Sequence, residues 1–281
     1  ALSAFRNQAW QNIGSLRNMG VETTISWKVI RSKDWYWTLD YNFTYNSNKI
    51  TDLSGATSDG APVANTGIQI GTDKYLEYQQ VGHPMNSYWV FQQAYDKNGK
   101  AIEGAVVDRN GDGQITNDDR YFYKSPAAPV TMGLASRLEY KNWDFSFSLR
   151  ANLGNYVYDA ISQGFHNVSP NALWASTNFL TNKTASAVAD NWATDETSST
   201  LTDRWVHNAS FLKCDNITLG YSFENLFKCA KYHGISGRAY VTASNVFTIT
   251  NYDGIDPEVF NGYDNNVYPR PFSLIVGLNL N

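Results

Sequence analysis

The sequence has 281 residues, of which 42 % are hydrophobic, 15 % aromatic and only 17 % charged; disorder needs the opposite balance and is excluded. Its 22 basic and 26 acidic side chains leave a net charge of −4, so there is no basic surplus to neutralise phosphates and nucleic-acid binding is not expected. Two cysteines exclude a disulfide scaffold and a thiolate metal cluster, and no apolar run reaches the roughly 18 residues of a membrane helix, although the strands of a transmembrane β-barrel alternate and escape that test.

The chain opens Ala1-Leu2-Ser3-Ala4-Phe5-Arg6 without a basic n-region or an apolar h-region, so an export signal is expected to have been removed or to lie in a longer protein. No fixed-period repeat is visible. Alternation first appears over Val21–Ile30, and a strand is expected near 19–31. After the short link Arg31–Asp34 a second strand is expected at 35–50. There Trp35, Trp37, Leu39, Tyr41, Phe43 and Tyr45 occupy odd positions, and Tyr36, Thr38, Asp40, Asn42 and Thr44 lie between them. Such a period of two gives a strand one apolar and one polar face.

A Gly-, Asp-, Asn- and Pro-rich loop is expected over 51–128, followed by strands at 129–141 and 143–156 joined by Lys141-Asn142. In the second of these, Trp143, Phe145, Phe147, Leu149, Ala151 and Leu153 alternate with Asp144, Ser146, Ser148, Arg150 and Asn152. A second long loop, 157–208, precedes strands at 209–223 and 234–250. A third loop at 251–269 leads to a last strand at 270–281, where Phe272, Leu274, Val276, Leu278 and Leu280 keep alternate register.

Strands of about ten residues are long enough to cross a bilayer when tilted, and tight turns alternating with long loops follow the outer-membrane barrel pattern. The polar faces carry Glu22, Lys28, Asp40, Arg137, Glu139 and Arg150, which suits a wet lumen. The strand-end aromatics Trp27, Trp35, Trp37, Trp143, Tyr45 and Tyr140 suit the headgroup level. The alternative is a soluble carbohydrate-binding or adhesive β-sandwich, whose core the same aromatics would line. The sequence is therefore read as all-β: an antiparallel transmembrane β-barrel segment, about seven C-terminal strands of a larger barrel with long extracellular loops. An odd number of strands cannot close a barrel whose termini are both inside.

Asp108–Asp119 has the spacing of a twelve-residue calcium loop. Asp108, Asn110 and Asp112 take positions one, three and five, Gly113 the turn at six, Gln114 the backbone ligand at seven, and Asp119 position twelve. Ile115 at position eight is expected to point inward. Oxygen ligands alone favour calcium over zinc; a turn satisfied by its own backbone bonds is the other reading. Without flanking helix patterns, the ion would brace a loop and would not operate a sensor.

Cys214 and Cys229 are expected to be free, because one would lie up a strand and the other at a hairpin tip, beyond the roughly 7 Å disulfide limit. His83, His166, His207 and His233 form no HExxH pair. There is no nucleophile elbow, P-loop or dinucleotide motif. Asp118-Asp119, or Asp253 with Asp256, do not face each other across a bond as glycosidic chemistry requires. Catalysis is not expected.

The run Arg204-Trp205-Val206-His207-Asn208-Ala209-Ser210-Phe211-Leu212-Lys213, leading into Asn216-Ile217-Thr218-Leu219-Gly220-Tyr221, resembles a signature of SusC/RagA-type TonB-dependent outer-membrane transporters of Bacteroidetes. Ser244-Asn245-Val246-Phe247-Thr248, Tyr252-Asp253-Gly254-Ile255-Asp256-Pro257-Glu258 and Tyr268-Pro269-Arg270-Pro271-Phe272-Ser273-Leu274 resemble that family's ending. Asn18-Met19-Gly20-Val21-Glu22, Gly82-His83-Pro84 and Asp108–Asp119 also match family segments. Lys213 stands where Arg is usual, and a closing aromatic residue is missing. The resemblance implies a plugged barrel of roughly 22 strands and a SusD-like surface lipoprotein over its mouth. It also implies import of oligosaccharides or peptides energised through TonB. The plug and the TonB-contacting segment would lie N-terminal to these strands. Among the loop aromatics Tyr88, Trp89, Phe91, Trp174, Phe179 and Trp192, Trp89, Trp174 and Trp192 are the candidates for stacking on sugar rings; folding a long loop onto itself is the other use of such rings.

Overall fold

The computed structural model describes residues 14–57, 60–71, 74–166, 185–190, 192, 201–226, 234–265 and 268–280. Seven long strands dominate: β1 (Ser15–Arg31), β2 (Trp35–Asp52), β3 (Val130–Tyr140), β4 (Trp143–Leu153), β5 (Phe211–Leu226), β6 (Ile235–Thr250) and β7 (Ser273–Leu280). They form one sheet in chain order, and every pairing from β2 to β7 is antiparallel. Among the described residues no helix is long and apolar enough to cross a membrane.

Residues opposite each other in an antiparallel pair share a face, so the register sorts the side chains. One row reads Trp37, Leu138, Phe145, Leu219, Val241 and Val276 across β2 to β7. The row beside it, on the other face, reads Thr38, Arg137, Ser146, Thr218, Thr242 and Ile275. Strand alternation has become a sheet with one apolar side.

Among the described residues no sandwich core covers that side. Val276 is 75 % exposed, Leu274 61 % and Leu278 60 %. A continuous apolar face of this extent is not stable against water, but it suits hydrocarbon. The sandwich reading is therefore replaced by a single sheet.

At the turn end of the apolar face, Trp35, Tyr140, Trp143 and Tyr221 stand side by side on four strands. Ring centroids lie 4.2 Å apart for Trp35 and Tyr140 and 4.8 Å apart for Trp143 and Tyr221. Indole and phenol rings in such a belt satisfy their apolar bodies in lipid and their polar tips at the headgroups. Ten residue steps separate Trp35 from Tyr45, about 34 Å of strand. At the ~35–45° tilt of membrane barrels this rises roughly 24–28 Å, the height of their apolar band.

The hairpin links are short. Ser32 N–H donates to the Trp35 carbonyl at 2.8 Å, and Lys141 takes a left-handed conformation (φ 53°) in its two-residue turn, as primed hairpin turns require. Residues 227–233 lie outside the described residues.

The chain divides into two compact units. Gly20–Asn46, Pro126–Gly164 and Trp205–Asn281 hold most of the long sheet. They also hold a small sheet of Tyr156–Asp159, Val206–Asn208 and Tyr263–Asp264. Buried Val157, Ala209 and Tyr252, with Val259 against them, form a local core there. The other unit contains Ser47–Ser125 and the described part of Phe165–Arg204. It is a folded loop domain, in which Val63–Ala64, Glu77–Gln79, Ser87–Val90 and Tyr121–Phe122 form a four-stranded sheet around fully buried Leu76, Tyr88 and Val90.

Arginine placed at Phe147, mid-height on the apolar face, is expected to destabilise the full-length protein by about 2–4 kcal/mol, against about 0–1 kcal/mol at Trp35 in the aromatic row. Denaturant-dependent refolding into phospholipid vesicles measures both. Equal effects at the two positions would place no bilayer against this face.

Candidate functional site

Arg150 on β4 and Lys213 on β5 are register partners on the polar face, and two neighbouring cations must find counter-charges. A bulge supplies the first. The β4–β5 register shifts at Ser148/Leu149, and the extra residue on β5 is Asp215, which accepts from Arg150 Nε at 2.8 and 3.0 Å. The loop after β6 supplies the others. Glu258 takes the two terminal nitrogens of Arg150 at 2.5 and 2.7 Å in the bidentate geometry that suits guanidinium to carboxylate. Lys213 Nζ, nearly buried, donates to Asp256 at 2.7 Å and to Glu258 at 3.1 Å. Arg270 closes the group on Glu258 and lies 3.3 Å from Asp256.

The cluster has three cations and three carboxylates, so its charges cancel. Cancellation decides whether a buried charge is tolerated, since an unpaired one costs several kcal/mol. Burial alone would raise the Glu258 carboxyl, but the hydrogen bonds from Arg150 and Lys213 outweigh it and hold it at about 2. The loop segment Gly254–Glu258 is thereby locked to the sheet. Gly254 is needed for this fold, because a side chain there would run into the ring of Tyr252, whose hydroxyl donates to buried Asp264 at 2.7 Å.

Beside the lock the β5–β6 ladder breaks between Cys214/Phe247 and Asn216/Ser244. Asn245 turns left-handed (φ 52°) and its Nδ2 donates to the Pro271 carbonyl at 2.9 Å. A cavity of about 260 Å³ opens here, lined by Lys213, Asp215, Thr248, Asp256 and Arg270 among others. Lower on the same face, Arg238 on β6 reaches across β5 to Asp144 on β4 at 2.5 and 2.8 Å. The residue they cross is Gly220, where a Cβ would sit 2.5 Å from both partners. Glycine here makes the bridge possible.

The expected calcium residues come together in the loop unit. Asp108 accepts the amides of Gly111 and Gly113 at 2.6 and 2.8 Å. Asp119, fully buried, accepts those of Arg109 and Thr116 at 2.9 and 2.8 Å, and backbone donors led by Thr116 hold its carboxyl below the usual range. Asn110 and Asp112 bond each other at 3.0 Å. Gln114 contributes its N–H to Asp112 at 2.8 Å. The oxygens suit a hard cation in kind, and Asp119, which accepts three backbone amides in all, those of Arg109, Asn110 and Thr116, keeps about one lone-pair site free. Among the described residues, however, no three His, Cys, Asp or Glu side chains are grouped to hold a metal. Ile115 is 48 % exposed, correcting the inward position expected for it: the loop has no helix pair for that side chain to pack against.

Of the candidate stacking residues, Trp89 and Trp192 pack within the protein itself. Trp89 packs edge-on to Tyr78 with centroids 4.4 Å apart and lies under the Arg120 guanidinium at 4.4 Å. Trp192 is 3 % exposed, with its indole nitrogen 3.4 Å from the Ala101 carbonyl. A sugar needs an open ring face, and Trp192 has none in this structure. Tyr88 is fully buried. Trp174 and Phe179 lie outside the described residues. In the same unit Glu77 is buried, which pushes its carboxyl up to about 7 against the hydrogen bond from Asn65.

Cys214 is free and buried; Cys229 and His233 lie outside the described residues. His83 stacks on Phe122 at 4.4 Å, and His166 is buried 3.2 Å from Asp190, both placements that fill structural roles. Sequence reading did not assign the ionic lock. Its members appear in the sequence as scattered charges, and the signal available was Asp256-Pro257-Glu258 following a strand that ends in polar residues.

No family model matches the chain. The TonB-dependent receptor SusC of Bacteroides thetaiotaomicron is 49 % identical over 277 residues, covering 98 % of this chain and 27 % of that protein. The TonB-dependent receptor P3 of Formosa agariphila is 28 % identical over 303 residues, covering 96 % of this chain and 29 % of that protein. In three dimensions the chain resembles a structure of the RagAB peptide transporter, with a TM-score of 0.70 at 23 % identity over 96 % of this chain and 30 % of that one. A structure of the RagAB peptide importer in the "closed-closed" state gives a TM-score of 0.69 at 25 % identity, over 96 % and 30 % of the two chains. The chain thus spans less than a third of the length of the proteins it matches.

Because the Glu258 carboxyl is depressed, its contribution is present above the ordinary glutamate value near 4.5 and is lost only as pH falls towards about 2. Limited proteolysis with pepsin is expected to spare 251–265 at pH 4 and to cut there near pH 2. Glu258→Gln removes charged hydrogen bonds of about 1.5–3 kcal/mol each and is expected to expose the segment already at pH 4.

Proposed function

Because the chain belongs to the SusC-type TonB-dependent receptors, outer-membrane proteins of the transporter class and not enzymes, we propose that its seven strands are part of the wall of an importer of oligosaccharides or peptides, working with a SusD-like surface lipoprotein and energised through TonB. The observation that carries this reading is the two-faced sheet: apolar side chains on one side, and on the other a polar wall on which Arg137, Asp144, Arg150, Lys213 and Arg238 are ion-paired. A lipid-facing barrel needs the first, and a water-filled path needs the second. Both outer edges of the sheet, β1 and β7, have one long neighbour each, and hydrocarbon does not tolerate an open edge. Further strands of the same barrel are therefore part of the proposal, as are a plug and a TonB-contacting segment.

The 49 % identity to the TonB-dependent receptor SusC supports the receptor class without naming a cargo, and peptide import is supported by the likeness to the RagAB peptide importer. The partner lipoprotein is the counterpart proposed for the second component of that RagAB assembly. The test is uptake by cells carrying the full-length protein. Deleting the partner lipoprotein or TonB is expected to abolish uptake while leaving the barrel in the outer membrane. Uptake unchanged by either deletion would overturn the proposal.

Calcium held by Asp108, Asn110, Asp112, Gln114 and Asp119 is a second, independent part of the proposal, supported by the spacing and by the all-oxygen donors. The ion would act as a loop brace. Chelator is expected to raise protease cleavage within 108–119, and added calcium to reverse it. Cleavage indifferent to both would leave the loop closed by its amide bonds alone.

A further inference from the structure

Glu77 lies in the four-stranded sheet of the loop unit, opposite Tyr88 on Ser87–Val90, and is 2 % exposed. Its Oε2 accepts from Asn65 Nδ2 at 2.7 Å. Its Oε1 is buried and, among the described residues, meets no donor. In the same unit the buried carboxylate of Asp119 takes three backbone amides. An ionised carboxylate can accept at about four sites, and one left with a single donor away from water is disfavoured against its neutral form.

No cation offsets this. Beyond Tyr88 in the sheet comes Tyr123, whose N–H donates to the Tyr88 carbonyl at 3.0 Å; both bring phenols and not charges. On the other side stands the Asn65 amide. His83, in the turn after Glu77–Gln79, stacks on Phe122, whose register partner is Trp89, and so lies with the opposite face of the sheet. Charged side chains contribute nothing to the balance at Glu77: burial raises its carboxyl to about 7, and the Asn65 hydrogen bond opposes it. His83 is held below its ordinary value, by burial first and by Lys49 second.

Asn65 connects Glu77 to a docking point. Its Nδ2 also lies 3.3 Å from Asn86 Oδ1, and its N–H donates to the Glu77 carbonyl at 2.9 Å. Asn86 is left-handed (φ 60°) and is clamped by Gln79, which donates to its Oδ1 at 2.6 Å and accepts its N–H at 3.0 Å. The turn that ends at Asn86 is bonded to the end of β2. Gly82 N–H donates to the Ile50 carbonyl and Ile50 N–H to the His83 carbonyl, both at 2.9 Å, while Met85 N–H donates to Asn48 Oδ1 at 2.8 Å. Asn48 and Ile50 belong to the same compact unit as the turn. A chain of side-chain contacts thus leads from Glu77 through Asn65 and Asn86 to the bonds that hold the turn on β2. A charge on Glu77 draws the Asn65 amide away from Asn86 and brings water to the dry oxygen, and both loosen the turn.

We propose that Glu77 is a proton-operated latch of the loop unit: protonated, it leaves Asn65 bridging to Asn86 and the 82–86 turn docked on β2, and ionised, it releases that turn. This does not depend on the importer reading. Because the carboxyl is raised in the docked state, docking is firmest below the ordinary glutamate value of 4.5, weakens as pH rises to about 7, and is level above it.

The experiment measures amide hydrogen exchange of the full-length protein in detergent, with protection over 48–52 and 80–87 corrected for the intrinsic exchange rate at each pH. In the wild type, protection of both segments is expected to fall about tenfold from pH 6 to pH 8. Glu77→Gln, which copies the neutral form, is expected to abolish the fall and to keep at pH 8 the protection of the wild type at pH 6. His83→Gln is expected to retain the wild-type fall. Wild-type protection equal at the two pH values overturns the latch. A fall that persists in Glu77→Gln or vanishes in His83→Gln assigns the titration to another group and also overturns it. Glu77→Gln that is misfolded, or less protected than the wild type at pH 6, shows that the site requires the charged carboxylate, which the latch forbids.

Discussion

A strand that meets hydrocarbon on one side has nowhere to place an unpaired N–H or C=O, and that constraint orders the molecule. It requires each inner strand of the sheet to be paired along both edges, as β2 to β6 are. With the backbone closed on itself, only the side chains distinguish the two faces, and the period of two separates them. The polar face then inherits a problem of its own. Its charges sit on neighbouring strands a few ångströms apart and must cancel laterally, which Arg238 and Asp144 do across Gly220 and the six-charge lock does at the loop.

The lock also explains where the regular ladder fails. Arg150 and Lys213 face each other with the bulge in place. The bulge adds Asp215 beside them, and its carboxylate accepts from Arg150, in keeping with the role of bulges beside functional sites. The break propagates to β6, where Asn245 leaves the ladder and the cavity opens. A sheet defect, a charge requirement and a cavity are thus one event.

The fold was legible in the sequence because its cause is local. Alternation over Trp35–Tyr45 and Trp143–Leu153 needs no knowledge of distant residues, and the aromatic row at the turns follows from it. The resemblance of Phe211-Leu212-Lys213 and Asp256-Pro257-Glu258 to family signatures was equally visible, but their partnership was not. Lys213 and Asp256 are far apart in the chain, and nothing in either segment specifies the other. The loop aromatics were harder still. From sequence Trp89 and Trp192 are candidates either for stacking on a sugar or for folding the loop onto itself; in the structure Trp89 packs on Tyr78 and Trp192 is buried. Composition identifies a long loop; it does not reveal that the loop has an interior.

The Asp144–Arg238 bridge has a mechanical consequence. It ties β4 to β6 directly, over the top of the strand that lies between them, so β5 runs beneath a strap. An inward pull on β5 is met by this tie as well as by its own two ladders, and the load spreads over three strands. Gly220 has the function of a slot: the absence of a side chain lets the strap lie flat.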